Sequence, residues 1–533
     1  MPNSFRRRRN GIIALTLASC GLLACGTSSE APADAGAATV GDATVEQDAS
    51  DVHTSDAGLP PSSEDALTPS PDSAGPSPQD GGIPVIDASF DAGPTTPAAI
   101  TVDPKTTTGA ITAAFAGLSY EKNQTNNGFF SASNTALVAF FKLLGPSLLR
   151  VGGNSVDVTT WTPNGAGTTA GQMAKPDVDA LAAFLKASGW SVLYGVNMKT
   201  SSASLAADEA SYAAGALGQS LYGFEIGNEV NNYKSTAVEP TWSYANFKTQ
   251  WESFHTAMSA AAPGAAFTGP AAVFNYTGYT VPFASDEGKN IILLTEHYYR
   301  GNGAAAGSTL AQLLQPDPGL LTMLKAIGTA ATTNKIADGI RLSEANSYFN
   351  GGASGVSNSY GTALWVIDFL FANAQNGSGG INFHGGGPGS VYTPIADTGT
   401  MVVGARPEFY ALLLFSRAGT GPTYATKVTN NGGVDLSAYA IGPADGSTSI
   451  IVVNKDASKA VQATIDVGRV VTSAAALRLL GPGLAATTGT ITLGGDSVTP
   501  AGAWSPTETA VATSGTSVTV DVSAASAVLV RAR

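Results

Sequence analysis

Two glutamates close apolar runs in this chain. Glu229 ends Gly223-Phe224-Glu225-Ile226-Gly227-Asn228-Glu229, and Glu344 ends Arg341-Leu342-Ser343-Glu344, just before Ala345-Asn346. A charged residue that terminates a strand-like run is poorly suited to a core, and each glutamate has a polar neighbour able to orient a ligand. Two carboxyl groups facing one another across a cleft suit cleavage of a glycosidic bond. One protonates the leaving oxygen, and the other attacks the anomeric carbon or activates water. Further runs also end in polar groups: Tyr120-Glu121, Arg150 to Asn154, Glu296 to Tyr299, and Asn382 to His384.

The elements that must position these groups are short, β-branched and apolar. The candidate strands are 113–121, 147–154, 192–198, 221–229, 266–271, 291–299, 339–346 and 379–385. Segments with apolar residues at helical spacing lie between them, among them Thr135–Leu144, Val178–Ser188 and Tyr244–Ala262. Alternating βα units predict an α/β fold with a parallel sheet. A (β/α)8 TIM barrel is favoured over an open doubly wound sheet, because a barrel gathers all strand C-termini into one mouth. The fourth and seventh strands then lie nearly opposite one another, so Glu229 and Glu344 face across that mouth. From about Pro422 the strands are short, with turn residues between them and no helical pattern, which predicts a C-terminal antiparallel β-sandwich. The short run around Ile100–Val102 precedes the first barrel unit and is a candidate extra strand of that sandwich.

Composition bounds the class of protein. The chain has 533 residues and a formal net charge of −13, the wrong sign for a nucleic-acid partner, which selects a basic footprint. Residues 1–25 carry four consecutive arginines followed by a short apolar run, the pattern of an export signal. Cys20 and Cys25, the two cysteines present, each follow small residues in a lipoprotein-type cleavage box; Cys25 is the preferred lipidation site and Cys20 the alternative. Residues 26–99 are rich in Asp, Ala, Ser and Pro with no Lys or Arg, which predicts a disordered, self-repelling tether. The expected organisation is therefore a signal over 1–25, a tether over 26–99, a catalytic barrel over 100–421 and a β-sandwich over 422–533. Export to a bacterial cell envelope or secretion follows, with membrane contact only through an N-terminal lipid.

Four motifs sharpen the expectation. Phe115-Ala-Gly-Leu-Ser-Tyr-Glu121, Leu149-Arg-Val-Gly-Gly-Asn-Ser155, Glu225-Ile-Gly-Asn-Glu-Val230 and Ser343-Glu-Ala-Asn-Ser347 resemble glycoside hydrolase family 79. That family holds bacterial and fungal β-glucuronidases and the heparanases, and the resemblance spans roughly residues 100–533. It implies a retaining reaction with Glu229 as general acid/base and Glu344 as nucleophile. It further implies Asn228 on the sugar 2-hydroxyl, Tyr298 orienting the nucleophile, and Glu121 and Arg150 on the sugar-binding floor. His297 belongs to the mouth, and the Tyr348-Phe349-Asn350-Gly351 loop resembles the contact to a uronate carboxylate, although Phe349 has no hydroxyl to offer. Val230 stands where heparanases carry proline, and residues 100–533 hold 23 basic against 27 acidic side chains, a poor cleft for long polyanions. The expected substrate is a glucuronate-containing glycoside or oligosaccharide cut by exo action, with neutral sugars as the alternative.

Other signals lead nowhere. Gly301 to Gly307 imitates a dinucleotide fingerprint at the wrong spacing, and His384-Gly-Gly-Gly387 resembles an oxyanion loop in a chain without a nucleophile elbow. No His-Glu-x-x-His or paired-cysteine motif calls for a metal, and no cofactor is expected. Trp161, Trp242 and Trp365 are more plausible as core than as sugar platforms.

Overall fold

The computed structural model describes residues 94–236, 241–430 and 432–533. The expected export signal with Cys20 and Cys25, and nearly all of the expected acidic tether, lie outside the described residues. Strand β1 (Thr95–Ile111) comes first, and then eight strands close into a barrel in chain order. They are β2 (Ala116–Glu121), β3 (Leu148–Gly152), β4 (Ser191–Val196), β5 (Leu221–Ile226), β6 (Phe267–Val273), β7 (Leu293–Tyr299), β8 (Ile340–Asn346) and β9 (Ser378–Gly385), with β9 pairing back to β2. All eight pairings are parallel. Strands β3, β6, β7 and β8 are buried at every residue, as expected where side chains fill the barrel on one face and helices cover the other.

Helices α1 (Thr135–Leu144), α2 (Lys175–Ser188), α3 (Ala203–Leu217), α4 (Tyr244–Ala261), α5 (Thr280–Glu287), α6 (Pro318–Thr333), α7 (Tyr360–Gln375) and α8 (Pro407–Ala418) follow the strands in turn. Their limits have local causes. Asn134 caps α1 by accepting the Leu137 amide, the stripe Leu137, Val138, Phe140 and Phe141 buries, and Gly145 ends the helix. Asp317 caps α6 immediately before Pro318, whose missing amide hydrogen is no loss in a first turn. Among the described residues, no helix is long and apolar enough to cross a membrane.

Side-chain phase along β7 decides which residues reach the mouth. Thr295 donates to Glu225 inside the barrel, and Tyr299 donates to Glu344. The intervening residues point outward: Glu296 accepts from Thr280 of α5, and Tyr298 donates to Asp317 while stacking on Phe369 of α7. Neighbours on a strand face opposite sides, so His297 and Tyr299 share the interior and Tyr298 cannot.

The C-terminal region is one mixed sheet rather than a purely antiparallel sandwich. Its strands are β10 (Gly421–Asn430), β11 (Leu436–Ile441), β12 (Thr448–Asn454), β13 (Ala460–Asp466), β14 (Ala474–Leu480), β15 (Ser517–Val522) and β16 (Ser526–Ala532), with short edge pieces. The order runs β14-β16-β12-β11-β10-β1-β13-β15. Strand β1, which precedes the barrel, pairs antiparallel with β10 and parallel with β13, so this domain is built from both ends of the described chain. The barrel strands therefore start at Ala116, and residues 100–111 belong to the sheet instead. Val and Ile side chains from β1, β12, β13, β15 and β16 enclose one apolar core. The sheet is fixed to the barrel through α7. Phe371 stacks on Tyr439 at 4.2 Å, and Asp368 takes Ser437, Tyr439 and Lys455. Such a buried stack adds about 1 kcal/mol to the burial itself.

Candidate active site

The C-terminal ends of the barrel strands bring four of the sequence motifs together around Arg150. This side chain rises from β3, fully buried, and distributes its donors over three other strands or their ends. Its Nε donates to Glu225 at 2.6 Å, Nη1 to Glu344 at 2.6 Å and to Ser119 at 3.3 Å, and Nη2 to the Asn228 side-chain oxygen at 2.9 Å. Glycine is required beside it. A Cβ on Gly152 would lie 2.3 Å from the Arg150 guanidinium carbon, and one on Gly153 would lie 2.4 Å from the Glu121 carboxyl. The expected place of Arg150 on the sugar floor is thus replaced by a deeper one, in which its five N–H groups order the acids instead of a ligand.

Glu344 is surrounded by donors and cationic groups. Besides Arg150 on Oε2, it accepts the Tyr299 hydroxyl on Oε1 at 2.7 Å, with His384 at 3.7 Å and His297 at 4.0 Å. Burial alone would push its proton affinity up. The positive field of His384, His297 and Arg150 and the Tyr299 bond outweigh burial and hold it well below the usual carboxylate range. Glu344 is therefore ionised at neutral pH.

Glu229 stands differently. It follows β5 in the left-handed region, at φ 44°, a strained conformation for a side-chain-bearing residue. Its side chain is 20% exposed, with His297 Nδ1 at 3.3 Å and the Asn232 amide at 3.2 Å. One atom each from Glu229, His297 and Glu344 lie within 4.8 Å of one another. Three such groups have the geometry of a cation site, but Arg150 already sets a permanent positive charge on Glu344. A carboxylate oxygen of Glu229 and one of Glu344 therefore lie close enough to reach the two atoms of one glycosidic bond.

The remaining predicted residues divide. Asn228 is buried between Arg150 and Asn154, beside the mouth. Glu121 accepts the Ser155 amide and hydroxyl at 2.7 and 2.6 Å and lies 3.7 Å from His384. Burial raises its proton affinity, but His384 and Ser155 more than offset this and leave the carboxyl lowered. Phe349 is half-buried on the rim, with its ring 6.2 Å from Tyr299. Gly351 is held by its carbonyl accepting the Val391 amide at 2.7 Å. Two expectations are corrected. Tyr298 does not orient Glu344; its hydroxyl is 2.5 Å from Asp317 on the helix side, and Tyr299 takes that role. Tyr348 does not face a ligand, since it is fully buried and donates to Gln312 at 2.8 Å, near the Thr309 carbonyl.

Three residues not assigned from sequence join the site: Tyr299, His384 and Glu225. His384 lies 3.0 Å from Ser119 and bridges Glu121 and Glu344, both of which raise its proton affinity against the effect of burial. The segment after β9 walls one side of the mouth. Tyr392 is buried there, 6.1 Å from the His384 ring, and Asn127 of the β2 side donates to the Gly399 carbonyl at 2.7 Å.

Known proteins are similar to this chain in sequence and in fold. Residues 438–529 match the family model described as the glycosyl hydrolase family 79 C-terminal beta domain. The chain is 28% identical over 264 residues to a β-glucuronidase of Aspergillus niger, covering 43% of this chain and 49% of that protein. It is 26% identical over 285 residues to a β-glucuronidase of Neurospora crassa, covering 44% and 49%. Each match thus spans about half the length of the curated relative. Among solved structures, a 4-O-α-L-rhamnosyl-β-D-glucuronidase from Fusarium oxysporum aligns with a TM-score of 0.67 at 18% identity, over 82% of this chain and 99% of that one. A family 51 arabinofuranosidase from Xanthomonas axonopodis aligns at 0.59 and 16%, over 82% and 100%. At such identities the likeness establishes the fold, a (β/α)8 barrel with an attached β domain.

Proposed function

We propose that this chain is a retaining, exo-acting β-glucuronidase of the bacterial branch of glycoside hydrolase family 79. The observation that carries the reading is the unlike pair of carboxyl groups at the mouth. Glu344 is ionised and clamped by Arg150 and Tyr299, and Glu229 is partly open to solvent within 4.8 Å. In the first step Glu344 attacks the anomeric carbon, Glu229 gives its proton to the leaving oxygen, and a glycosyl ester forms. In the second step Glu229 takes a proton from water, which displaces Glu344 with the original configuration restored. Charge on Glu344 is dispersed as the bond forms, and Arg150 stays fixed beside it throughout, so no reorganisation is needed.

Glucuronate as the glycone is supported by the similarity to fungal β-glucuronidases, and exo action by the wall that the segment after β9 builds toward β2. A neutral glycone is the second reading. It is favoured by the pairing of the cations near the mouth: Arg150 with two glutamates, Arg300 with Asp317 and Lys199 with Asp157. Initial rates on 4-nitrophenyl β-D-glucuronide, β-D-glucoside and β-D-xyloside separate them. The proposal expects a kcat/KM for the glucuronide at least tenfold above the others, and equal or faster turnover of a neutral sugar contradicts it. Export and lipid attachment through Cys25, or Cys20, rest on the pattern of residues 1–25. Radiolabelled palmitate retained by the wild type and lost in a Cys25→Ala, Cys20→Ala double variant is the expected result.

A further inference from the structure

Phe274 presents an unusual combination. It is 60% exposed, among the few large apolar side chains on this surface that are, and it sits in the left-handed region at φ 56°. A bulky residue rarely adopts that conformation, and burial does not compensate it here. Its position is fixed from both sides. The preceding residue, Val273, exchanges two hydrogen bonds with the side chain of Asn231: Asn231 Nδ2 donates to the Val273 carbonyl, and the Val273 amide donates to Asn231 Oδ1, both at 2.9 Å. Asn231 lies two residues after Glu229, so the end of β6 is latched to the segment that carries the proposed acid. Val273 is also in register with His297, which contacts Glu229.

On its other side, Phe274 is joined to the nucleophile by rings. Its ring lies 5.6 Å from that of Phe349, Phe349 lies 6.2 Å from Tyr299, and Tyr299 bonds Glu344. Phe349 is itself held at the backbone, its amide on the Gly301 carbonyl and its carbonyl accepting from Gly303, both at 2.9 Å. An aromatic wall therefore runs from Tyr299, which bonds Glu344, through Phe349 to the exposed Phe274, whose preceding residue is latched to Asn231 in the segment that follows Glu229. The leaving oxygen must face Glu229 to be protonated, so the group attached to that oxygen projects on the same side.

We propose that Phe274 is the platform for the leaving group, and that the substrate carries a ring next to the glycosidic oxygen whose flat or apolar face packs on Phe274. This rests on the glycosidase reading above. It adds the chemical class of the aglycone, either an aryl alcohol or the apolar face of a second sugar. Rings stacked in the open contribute modestly, so the expected effect is a factor of about ten or less, not abolition.

The test compares the parent with Phe274→Ala and Phe274→Tyr on three substrates. These are 4-nitrophenyl β-D-glucuronide, a disaccharide with glucuronate β-linked to a hexose, and β-D-glucuronosyl fluoride, whose leaving group has no ring. Phe274→Ala is expected to lower kcat/KM about five- to tenfold on one or both ring-bearing substrates and less than twofold on the fluoride, with Phe274→Tyr near the parent throughout. Loss on the aryl substrate alone, or on the disaccharide alone, identifies which ring the platform takes. An equal loss on all three, or no loss on either ring-bearing substrate, overturns the proposal. If the parent turns over none of the glucuronides, the glycone assignment fails instead. The same three leaving groups on the neutral sugar it does hydrolyse then decide the role of Phe274.

Discussion

Replacing Tyr299 by phenylalanine removes one oxygen atom and one bond, the 2.7 Å contact to Glu344 Oε1. Replacing its neighbour Tyr298 removes a bond of the same kind, the 2.5 Å contact to Asp317, on the opposite face of the same strand. The two variants are matched in chemistry and differ in where the hydroxyl points. A hydrogen bond to a buried carboxylate is worth about 1.5–3 kcal/mol. Without it, the Glu344 carboxylate is fixed only through Oε2 and turns more freely about its terminal torsion. If that whole bond serves alignment of the attacking oxygen, kcat/KM falls by about 10- to 100-fold. Loss of the same bond also removes one of the causes that lower the Glu344 proton affinity, so that affinity rises. Arg150 and the two histidines remain, so the carboxyl stays ionised near neutrality and the rate loss does not arise from protonation there. Tyr298→Phe is expected to leave kcat/KM within twofold and to lower the melting temperature only slightly. Initial rates on whichever aryl glycoside the parent hydrolyses, with thermal denaturation of each variant as a folding control, make the comparison. Equal losses in the two variants, or the larger loss in Tyr298→Phe, would refute the assignment of strand phase and with it the role of Tyr299.

Burial pushes the Asp157 carboxyl up to about 7, with Tyr233 and Lys199 opposing and Glu229 and Glu121 adding to the rise. A folded-state value above the unfolded one gives stability that is present below the unfolded value and lost as the pH rises through about 7. Asp157→Asn should therefore narrow the fall in melting temperature between pH 5 and pH 8, and an unchanged fall counts against this account. Burial keeps Glu296 protonated well above the usual carboxylate range, facing α5 rather than the mouth. Glu296→Gln should keep kcat/KM within twofold, and a loss above tenfold would make it a third catalytic acid. Arg150→Met leaves Glu225 and Glu344 without their shared cation, so unfolding by denaturant should show a loss of about 3–5 kcal/mol together with collapse of activity. A variant with near-native stability would mean that Arg150 is not the electrostatic centre of the site.

The barrel was legible because its strands are continuous apolar runs with polar ends, and those ends are where a barrel collects its chemistry. Thr135–Leu144 matches a helix of the same limits because Asn134 and Gly145 mark both ends. The two misplaced tyrosines have different causes. His297 and Tyr298 were both expected at the mouth, yet adjacent strand residues cannot share a face; placing His297 inside selects Tyr299, and that signal was present in the sequence. Tyr348 follows the strand end, where no period applies and only tertiary contacts decide direction. His384 carried no distinctive spacing, and its place between Glu121 and Glu344 arises from barrel closure, which joins the first and last strands across some 265 residues. The mixed sheet was hidden for a related reason. The long β1 strand pairs parallel with β13, a contact that no local pattern announces.

The division of labour between Glu344 and Glu229 is tested most directly by azide rescue of the two single variants on an activated aryl β-glycoside. In Glu344→Gly the small anion occupies the space vacated by the nucleophile and attacks from that face, so the product should be the α-glycosyl azide. In Glu229→Gly the glycosyl ester still forms on Glu344, and azide displaces it from the opposite face, so the product should be the β-glycosyl azide. Proton NMR of the isolated azides distinguishes the two configurations. The account predicts α from the first variant and β from the second; the reverse pairing would contradict it.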